Sequence, residues 1–311
     1  MPADPSTLSR RARAGYFLAN IGLRGMIGAA LLLPYRWRVP AMGWIVSRIV
    51  APLAGLRKRI RDNLALARPD LPAHEVAHLL RAVPDNAGRT LIEFYSGQPF
   101  LDRARAAPIT GPGLAALEEA RAQGRPVILI TGHFGNYDVL RANLFHRGHP
   151  MGALYRRMAN PWFNEHYTAA IKAIGEPMWE QGRRGMMEMV RHLKDGGIIA
   201  IAADLHVHGG RELTFFGQPA VSSVVSAELA LKYDALLIPI YVVRQPNGLD
   251  FEIEMHAPIA HSDPETMTQA VHDDLEALVR RHMDQWFWIH RRWKPWMHLG
   301  LQPGTSADPP E

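Results

Sequence analysis

The stretch VILITGHFGNYDVL, residues 127–140, indicates how this chain folds. Five β-forming residues, VILIT, stop at Gly132, and a short polar turn then carries His133 toward a segment of helical character. Such an apolar run is typical of a strand buried on both faces of a sheet. Because ligands of α/β sheets bind at the carboxyl ends of the strands, we expect His133 to lie at the functional edge of the sheet.

Strand and helix patterns alternate from about residue 111 onward. The predicted strands are PVILIT (126–131), MGALYR (151–156), GIIAIAAD (197–204), ALLIPIYVVR (235–244) and LDFEIEMHAPI (249–259). The predicted helices are GLAALEEARAQG (113–124), NYDVLRANLFHRG (136–148), PWFNEHYTAAIKAIG (161–175), GMMEMVRHLKDG (185–196), VSSVVSAELALKYD (221–234) and residues 264–289. This alternation predicts an α/β protein with a central, mostly parallel sheet and helices on both faces.

The composition excludes several classes of protein. With 311 residues, of which 47% are hydrophobic, the chain is long enough to bury one large core. It has no cysteine, which excludes structural disulfides, thiolate zinc sites and a cysteine nucleophile. A formal charge of +5 favours an anionic partner. The candidates are nucleic acid, anionic lipid headgroups and an acidic protein.

The amino end has the character of a membrane-attachment segment. Three arginines precede an apolar stretch at residues 16–33, and a second apolar segment follows at 41–56. Arg24 lies inside the first stretch, and an arginine near the centre of a spanning helix costs about 2.5 to 3.5 kcal/mol on insertion scales. We therefore predict interfacial helices over residues 1–56. The alternative is that both helices pack on the protein core.

His133 and Asp138, five positions apart, form the candidate catalytic pair. If a helix begins near Asn136, Asp138 in its first turn can fold back toward the imidazole. A carboxylate that accepts a proton from one ring nitrogen fixes the tautomer, so that the other nitrogen can deprotonate a hydroxyl. We predict that Asp138 orients His133 as a general base, with Gly132 admitting substrate and turn amides stabilising an oxyanion. The alternative is a structural histidine beside a first-turn acid that the helix dipole favours.

Other polar side chains follow other predicted strands. Arg156 and Arg157 come after MGALY, where a guanidinium can clamp a phosphate. Asp204 ends another strand, and Glu212 follows it. Near the carboxyl end, QWFWIHRRWKP (285–295) combines aromatic and basic residues. The residues that we expect to contact substrate are Arg156, Arg157, Asp204, Asn136 and Gly132.

In combination, these motifs resemble the lipid A biosynthesis acyltransferases of the late, lauroyl/myristoyl type. This group belongs to the lysophospholipid acyltransferase superfamily, which also includes the mycobacterial phosphatidylinositol mannoside acyltransferases. The likeness covers most of the chain and runs through RDNLALARPD (61–70), GHFGNYD (132–138), YRRMANP (155–161), FFGQPA (215–220) and QWFWIHRRWK (285–294).

The resemblance implies an acyltransferase on the cytoplasmic face of the bacterial inner membrane, peripheral or single-pass. It would move a fatty acyl group from an acyl carrier protein or coenzyme A thioester to a hydroxyl of a lipid such as a lipid A precursor. His133 and Asp138 match the family's H-x4-(D/E) dyad, and Arg156 matches the arginine after the second strand. Glu212 stands where the mannoside enzymes carry an additional acid near the dyad, so we include it among the catalytic residues.

The resemblance also sets expectations for domains, cofactors and acceptor. We expect attachment helices at 1–56, the acyltransferase domain at 57–300 and a disordered tail at 301–311. Beyond the thioester co-substrate we expect no cofactor, no metal and no nucleic acid. Lipid A enzymes often have glutamate as the dyad acid, and Asp138 is at least as close to the mannoside version. The acceptor therefore stays open among lipid A precursors, other lyso-lipids, glycolipids and aminolipids.

Two alternatives come from other classes of protein. Asp204, His206 and His208 alternate along what the sequence allows as a strand, so one face could hold a metal ion beside His133 and make a hydrolase. A basic peripheral membrane-binding protein without catalysis would explain the amino end and the charge. It leaves the polar strand ends unexplained.

Overall fold

The computed structural model of the protein describes residues 8–293. The helices in this part of the chain are α1 (Arg10–Leu31), α2 (Tyr35–Ile45), α3 (Ala51–Leu53), α4 (Leu56–Ala67), α5 (Ala73–Phe94), α6 (Gln98–Ala106), α7 (Gly113–Ala122), α8 (Asp138–His146), α9 (Pro161–Ile174), α10 (Arg183–Lys194), α11 (Val225–Tyr233) and α12 (Pro264–Arg281). A π-helical turn, Val46–Val50, joins α2 to α3.

The strands form one large sheet and one hairpin. They are β1 (Ile109–Thr110), β2 (Val127–Thr131), β3 (Met151–Tyr155), β4 (Met178–Glu180), β5 (Ile198–Ala202), β6 (Arg211–Phe215), β7 (Gln218–Ser222), β8 (Leu236–Arg244) and β9 (Phe251–Met255). The seven-stranded sheet has the order β1-β9-β8-β2-β5-β3-β4, and β6 pairs with β7 in a separate hairpin. All pairs in the large sheet are parallel except β8 with β9. The predicted mostly parallel α/β sheet is confirmed.

Strand β2 lies at the centre of the fold because both of its faces are covered. Successive side chains of a strand point to opposite faces. Val127 and Leu129 belong to one apolar cluster, with residues of α6, α7 and α8. Ile128 and Ile130 belong to a second cluster, with residues of α10, α11 and α12. Helices therefore cover both faces of the sheet. A ligand site beside β2 is consequently expected at the carboxyl ends of the strands.

The amino-terminal helices are partly packed and partly exposed. Helix α2 packs on α5, and α1 lies along α9. Within residues 8–293, no single helix is both long and apolar enough to cross a bilayer. One bent pair of segments, Tyr35–Leu53 and Leu56–Ala67 at 86°, meets the length and composition criteria together. The predicted membrane-attachment segment is thus not confirmed as a spanning helix.

Three local predictions differ from the structure. The long carboxyl-terminal helix ends at Arg281 rather than at residue 289. In the segment that follows, Trp286 and Trp288 are fully buried, and Phe134 forms an isolated antiparallel bridge with Trp286. The aromatic run therefore lies in turns after the helix and not on a helical face. The hairpin β6–β7 occupies part of the region predicted as the start of a helix at 221, and the sequence pattern does not predict strands β1 and β4. The predicted tail at 301–311 lies outside the described residues.

Candidate active site

The site lies where β2 and β5 end side by side. The two strands are parallel neighbours with Thr131 opposite Ala202, and the amide of Ala203 donates to the carbonyl of Thr131. The residues that follow the two strand ends are consequently held against each other. These residues are His133 and Asp204.

Asp204 binds both the imidazole ring and the backbone amide of His133. Its Oδ1 lies 2.8 Å from Nδ1 of His133, and its Oδ2 accepts the backbone N–H of the same residue at 2.7 Å. Trp286 donates its indole N–H to Oδ2 at 2.9 Å. The carboxylate is buried, with 1% of the residue exposed, whereas the side chain of His133 is 25% exposed. When Nδ1 donates its proton to Asp204, the lone pair of neutral His133 lies on Nε2.

The electrostatics of this pair suit a base. Burial alone would lower the pKa of His133, but the Asp204 carboxylate raises that pKa above its ordinary value. Burial alone would raise the pKa of Asp204, but the contacts from His133 hold that pKa well below its usual range. Asp204 therefore stays ionised over the physiological range, and it stabilises the imidazolium that forms when His133 accepts a proton.

Asp138 does not fill the position that the sequence predicted for it. Its carboxylate pairs with Arg141 within α8, and both side chains are buried. Burial raises the pKa of Asp138, although the Arg141 guanidinium acts in the opposite direction. The predicted contact of Asp138 with the imidazole is wrong, because Nδ1 of His133 forms its hydrogen bond with Asp204 instead. Asp138 does line the same cavity as His133.

An apolar cavity of about 250 Å³ opens beside His133. Its other walls come from the ends of β3 and β5 and from α8 and α9, and its polar part is formed by Thr131, His133, Tyr137, Asp138, Arg141 and Arg156. Those walls are mostly aliphatic or aromatic: Leu140, Met151, Ala153, Leu154, Tyr155, Tyr167, Ile171, Met178, Ala200, Ile201 and Ala202. A largely apolar cleft with a small number of polar groups suits a ligand with a hydrocarbon chain and a reactive head.

The amides of the turn are used inside the protein. His133 donates its N–H to Asp204, Phe134 to the carbonyl of Gly132, and Gly135 to the backbone carbonyl of Gln285. These three amides, which we expected to hold an oxyanion, therefore already have acceptors. The glycine at 132 has a packing reason, since a Cβ there would lie 2.9 Å from a methyl carbon of Leu275.

The remaining predicted site residues fall in different places. Arg156 is exposed and lines the cavity, and exposed Arg157 lies 4.0 Å from Glu180. Asn136 is fully buried and donates to Glu93, so it does not contact substrate as predicted. Glu212 is exposed on β6 and lines a different cavity, next to α12. The structure thus brings together His133, Asp204 and Arg156 but does not bring Glu212 into their cavity.

The geometry does not favour the alternative in which Asp204, His206 and His208 hold a metal ion. Strand β5 ends at Ala202, so Asp204, His206 and His208 do not alternate along a strand. Asp204 is directed at His133, while His208 is exposed. Within residues 8–293, no group of three or more histidine, cysteine, aspartate or glutamate side chains is arranged to hold a metal ion.

Sequence reasoning missed two residues beside the catalytic pair. The ring of His290 lies edge-on to that of His133 with centroids 4.5 Å apart, and burial followed by the charge of His133 lowers the pKa of His290 to about 4. Trp286 donates to Asp204. Both belong to the quoted run QWFWIHRRWKP, where the combination of aromatic and basic residues was the available signal.

Comparison with known proteins identifies the family to which this chain belongs. Residues 6–295 match the family described as bacterial lipid A biosynthesis acyltransferase. A lipid A biosynthesis lauroyltransferase of Escherichia coli K12 is 25% identical over 289 residues, 90% of this chain and 92% of the relative. A palmitoleoyltransferase of lipid A biosynthesis from the same organism is 25% identical over 290 residues, again 90% and 92%. A phosphatidylinositol mannoside acyltransferase of Mycobacterium tuberculosis is 24% identical over 274 residues, 81% and 87%.

The chain therefore belongs to the bacterial lipid A biosynthesis acyltransferase family and is an acyltransferase that acts on lipid substrates.

Proposed function

We propose that this member of the lipid A biosynthesis acyltransferase family transfers a fatty acyl group from a thioester donor to a hydroxyl of a lipid acceptor such as a lipid A precursor. The thioester is carried by an acyl carrier protein or by coenzyme A. The observation that carries the proposal is the buried Asp204 carboxylate holding His133 in the wall of a largely apolar cavity. The pair supplies the base, and the cavity offers room for the acyl chain.

The reaction needs only general acid and base catalysis. Nε2 of His133 takes the proton from the acceptor hydroxyl as the oxygen attacks the thioester carbonyl. A C–O bond forms, the C–S bond then breaks, and the imidazolium returns its proton to the departing thiolate. The thioester is a co-substrate, and the reaction as written balances without a cofactor. Asp204 stabilises the charge on the imidazole while it carries the proton.

Cationic groups near the cavity suit the anionic parts of the substrates. Arg156 lines the cavity and is exposed, so its guanidinium is available to an acceptor phosphate or to the developing oxyanion. We assign stabilisation of the oxyanion to Arg156 because the amides of residues 133 to 135 already donate to acceptors inside the protein. The formal charge of +5 suits an acidic carrier protein and the phosphates of coenzyme A equally.

The amino-terminal surface supports a peripheral position at the membrane. Eleven of the eighteen large apolar side chains that are exposed in the described residues lie between Phe17 and Leu53. Arginines at positions such as 36, 38 and 48 lie in the same segment, as expected for contact with anionic headgroups. We expect this surface to hold the enzyme on the cytoplasmic face of the inner membrane, where soluble thioester donors are available.

The function is tested by release of free thiol from decanoyl-coenzyme A in the presence of candidate lipids. The chain has no cysteine, so a thiol reagent reports only the released coenzyme A. Lipid A precursors, mannosylated phosphatidylinositol and lysophospholipids are offered in turn, and mass spectrometry identifies the acylated product. His133→Ala should lose at least about 10³-fold in kcat, whereas His146→Ala, on the exposed end of α8, should keep it. A folded His133→Ala enzyme with wild-type turnover would refute the proposal.

Membrane attachment is tested separately by flotation with vesicles of phosphatidylethanolamine and phosphatidylglycerol. Replacing Leu18 and Ile21 by serine removes two exposed apolar side chains from α1. Each insertion of such a side chain contributes about 1.5 to 3 kcal/mol, so vesicle binding should fall more than about tenfold. The matched control replaces Met186 and Met187, exposed on α10, by serine and should float like the wild type. Equal flotation of all three proteins would contradict attachment through α1.

A further inference from the structure

A buried ion pair lies behind the turn that carries His133. Glu93 is in the last turn of α5 and Arg244 ends β8, and both side chains are almost fully buried. The guanidinium binds both carboxylate oxygens, with Nη1 to Oε1 at 2.6 Å and Nη2 to Oε2 at 2.8 Å. It also lies over the ring of Phe251, 4.9 Å from the ring centre. The pair is therefore rigid and bidentate.

Stability alone does not account for this pair. A carboxylate at the carboxyl end of a helix is disfavoured by the helix dipole, and removing two charges from water costs several kcal/mol per ion. Well-packed apolar residues would fill the same space at similar or greater stability. Glu93 also accepts the hydroxyl of Tyr35 at 3.5 Å, and its shorter hydrogen bond, from Asn136, indicates a second role for the carboxylate.

That hydrogen bond leads into the catalytic turn. Asn136, which is fully buried, donates from Nδ2 to Oε2 of Glu93 at 2.8 Å. Oδ1 of Asn136 accepts the backbone N–H of Asp138 at 3.1 Å, and its backbone carbonyl accepts the N–H of Val139 at 3.1 Å. One carboxamide thus ties the ion pair to the start of α8, three residues after His133.

Arg244 reaches the same turn by a second route. Its backbone N–H and carbonyl bind the side-chain amide of Gln285 at 2.7 and 2.9 Å. The backbone carbonyl of Gln285 accepts the N–H of Gly135 at 2.9 Å. Gly135 has φ +54°, and a Cβ there would lie 2.0 Å from the carbonyl oxygen of Val242, so the turn has no room to shift toward β8. The turn is held on both sides of Asn136.

We infer that Glu93, fixed by Arg244, is a positioning residue that sets the geometry of the His133 turn through Asn136. This inference rests on the proposed function of His133 as the base. It makes α5 a part of the active site although Glu93 touches neither His133 nor Asp204. A displacement of about 1 Å at a catalytic group can cost on the order of 10²-fold in rate, so a contact of this kind is sufficient to control turnover.

Asn136→Ala is the main test, because it removes the link and leaves the Glu93–Arg244 pair intact. We expect kcat for thiol release from decanoyl-coenzyme A to fall about 10²-fold with KM within about threefold of wild type. The acid limb of the pH profile should move to lower pH, because a loosened turn weakens the contact of His133 with Asp204. The matched control is Asp85→Asn, which breaks the ion pair with Arg89 on the same helix and should change neither quantity.

A double variant tests the hydrogen bond itself. Combining Glu93→Gln with Asn136→Asp leaves the net charge unchanged, and the introduced glutamine amide can donate to the introduced aspartate carboxylate. This exchange should recover at least about tenfold of the turnover that Asn136→Ala loses. An Asn136→Ala enzyme as active as Asp85→Asn would overturn the positioning role.

Hydrogen exchange separates this inference from the proposed function. The amides of Gly135 and Asp138 should exchange at least about tenfold faster in Asn136→Ala than in wild type or Asp85→Asn. Faster exchange together with a fully active His133→Ala enzyme would leave the positioning of the turn standing and remove the proposed base. Unchanged exchange would overturn the positioning role whatever the activity of His133→Ala.

Discussion

Two buried aspartates near the cavity, Asp204 and Asp138, have opposite electrostatic surroundings. Asp204 follows β5 and accepts hydrogen bonds from the ring and the amide of His133 and from Trp286. Burial alone would raise the pKa of Asp204, but its contacts with His133 hold that pKa low. Asp138 begins α8, pairs with Arg141 one turn further on, and has a raised pKa because of its burial. The difference shows that adjacency in the sheet, rather than adjacency in the chain, selects the partner of the imidazole.

Asp204→Asn should have the largest effect on turnover. The substitution keeps the shape of the side chain but removes the charge that stabilises the imidazolium and fixes the tautomer. We expect kcat to fall by about 10³- to 10⁴-fold, as for comparable changes in serine hydrolase triads. Steady-state kinetics with decanoyl-coenzyme A measure this loss. An Asp204→Asn enzyme within about tenfold of wild type would remove Asp204 from the catalytic pair.

Trp286→Phe should have the next largest effect. It removes the indole N–H that binds Oδ2 of Asp204, and a hydrogen bond to a charged group contributes about 1.5 to 3 kcal/mol. We expect kcat to fall about tenfold or more. The control is Trp288→Phe, because that buried indole donates to the carbonyl of Met283 instead. Equal losses in the two variants would assign the effect to packing.

Arg156→Gln should act mainly on substrate binding. The side chain lies at the cavity, and its replacement removes no contact of either aspartate. We expect KM for a phosphorylated acceptor to rise about tenfold with a smaller change in kcat, provided that the contact is equally strong in ground and transition states. A fall in kcat with unchanged KM would instead assign Arg156 to the oxyanion. The two results are distinguished by varying acceptor concentration at saturating thioester.

Asp138→Asn should have the smallest effect on turnover and a large effect on stability. It leaves Arg141 buried without its carboxylate, and breaking a buried ion pair costs about 3 to 5 kcal/mol. We expect the midpoint of urea unfolding to fall clearly while kcat stays within about threefold. A stable Asp138→Asn protein with kcat reduced about 10³-fold would return Asp138 to the role that the sequence predicted.

The pH dependence follows from the same pair. His133 must be neutral to act as a base, so kcat/KM falls as the pH drops through its pKa. Because Asp204 raises that pKa, the acid limb of wild type should lie above the ordinary histidine value of about 6.5. His290, with a pKa lowered to about 4, stays neutral over this range and adds no second limb. An acid limb at or below the ordinary value would contradict the raised pKa of His133.

Much of the fold could be predicted from local pattern. The buried strands β2, β5 and β8 are short Val- and Ile-rich runs, and the helices between them have the spacing of amphipathic segments. The two- and three-residue strands β1 and β4 have no such pattern, because only their neighbours in the sheet define them. The run WFWI is predicted as helix because it continues the apolar pattern of α12, although it lies in turns after Arg281.

The site could be predicted only in part. His133 and Asp204 are both recognisable as strand-end residues, but their contact depends on strand order. Strand β3 follows β2 in the chain, yet β5 and β8 are the strands that pair with β2. No periodicity encodes that choice, so sequence reasoning assigns the nearer acid, Asp138, to the imidazole instead. Glu93 and Arg244 are 151 positions apart, and only the packed fold brings them to the turn.

The most direct measurement is the titration of the Cε1 proton of His133 by NMR in wild type, Asp204→Asn and Asp138→Asn. The account predicts a pKa above the ordinary histidine value in wild type, a clear decrease in Asp204→Asn, where burial acts unopposed, and a much smaller change in Asp138→Asn. If Asp138→Asn lowered the pKa and Asp204→Asn left it unchanged, Asp138 would be the partner of the base and the central claim would be wrong.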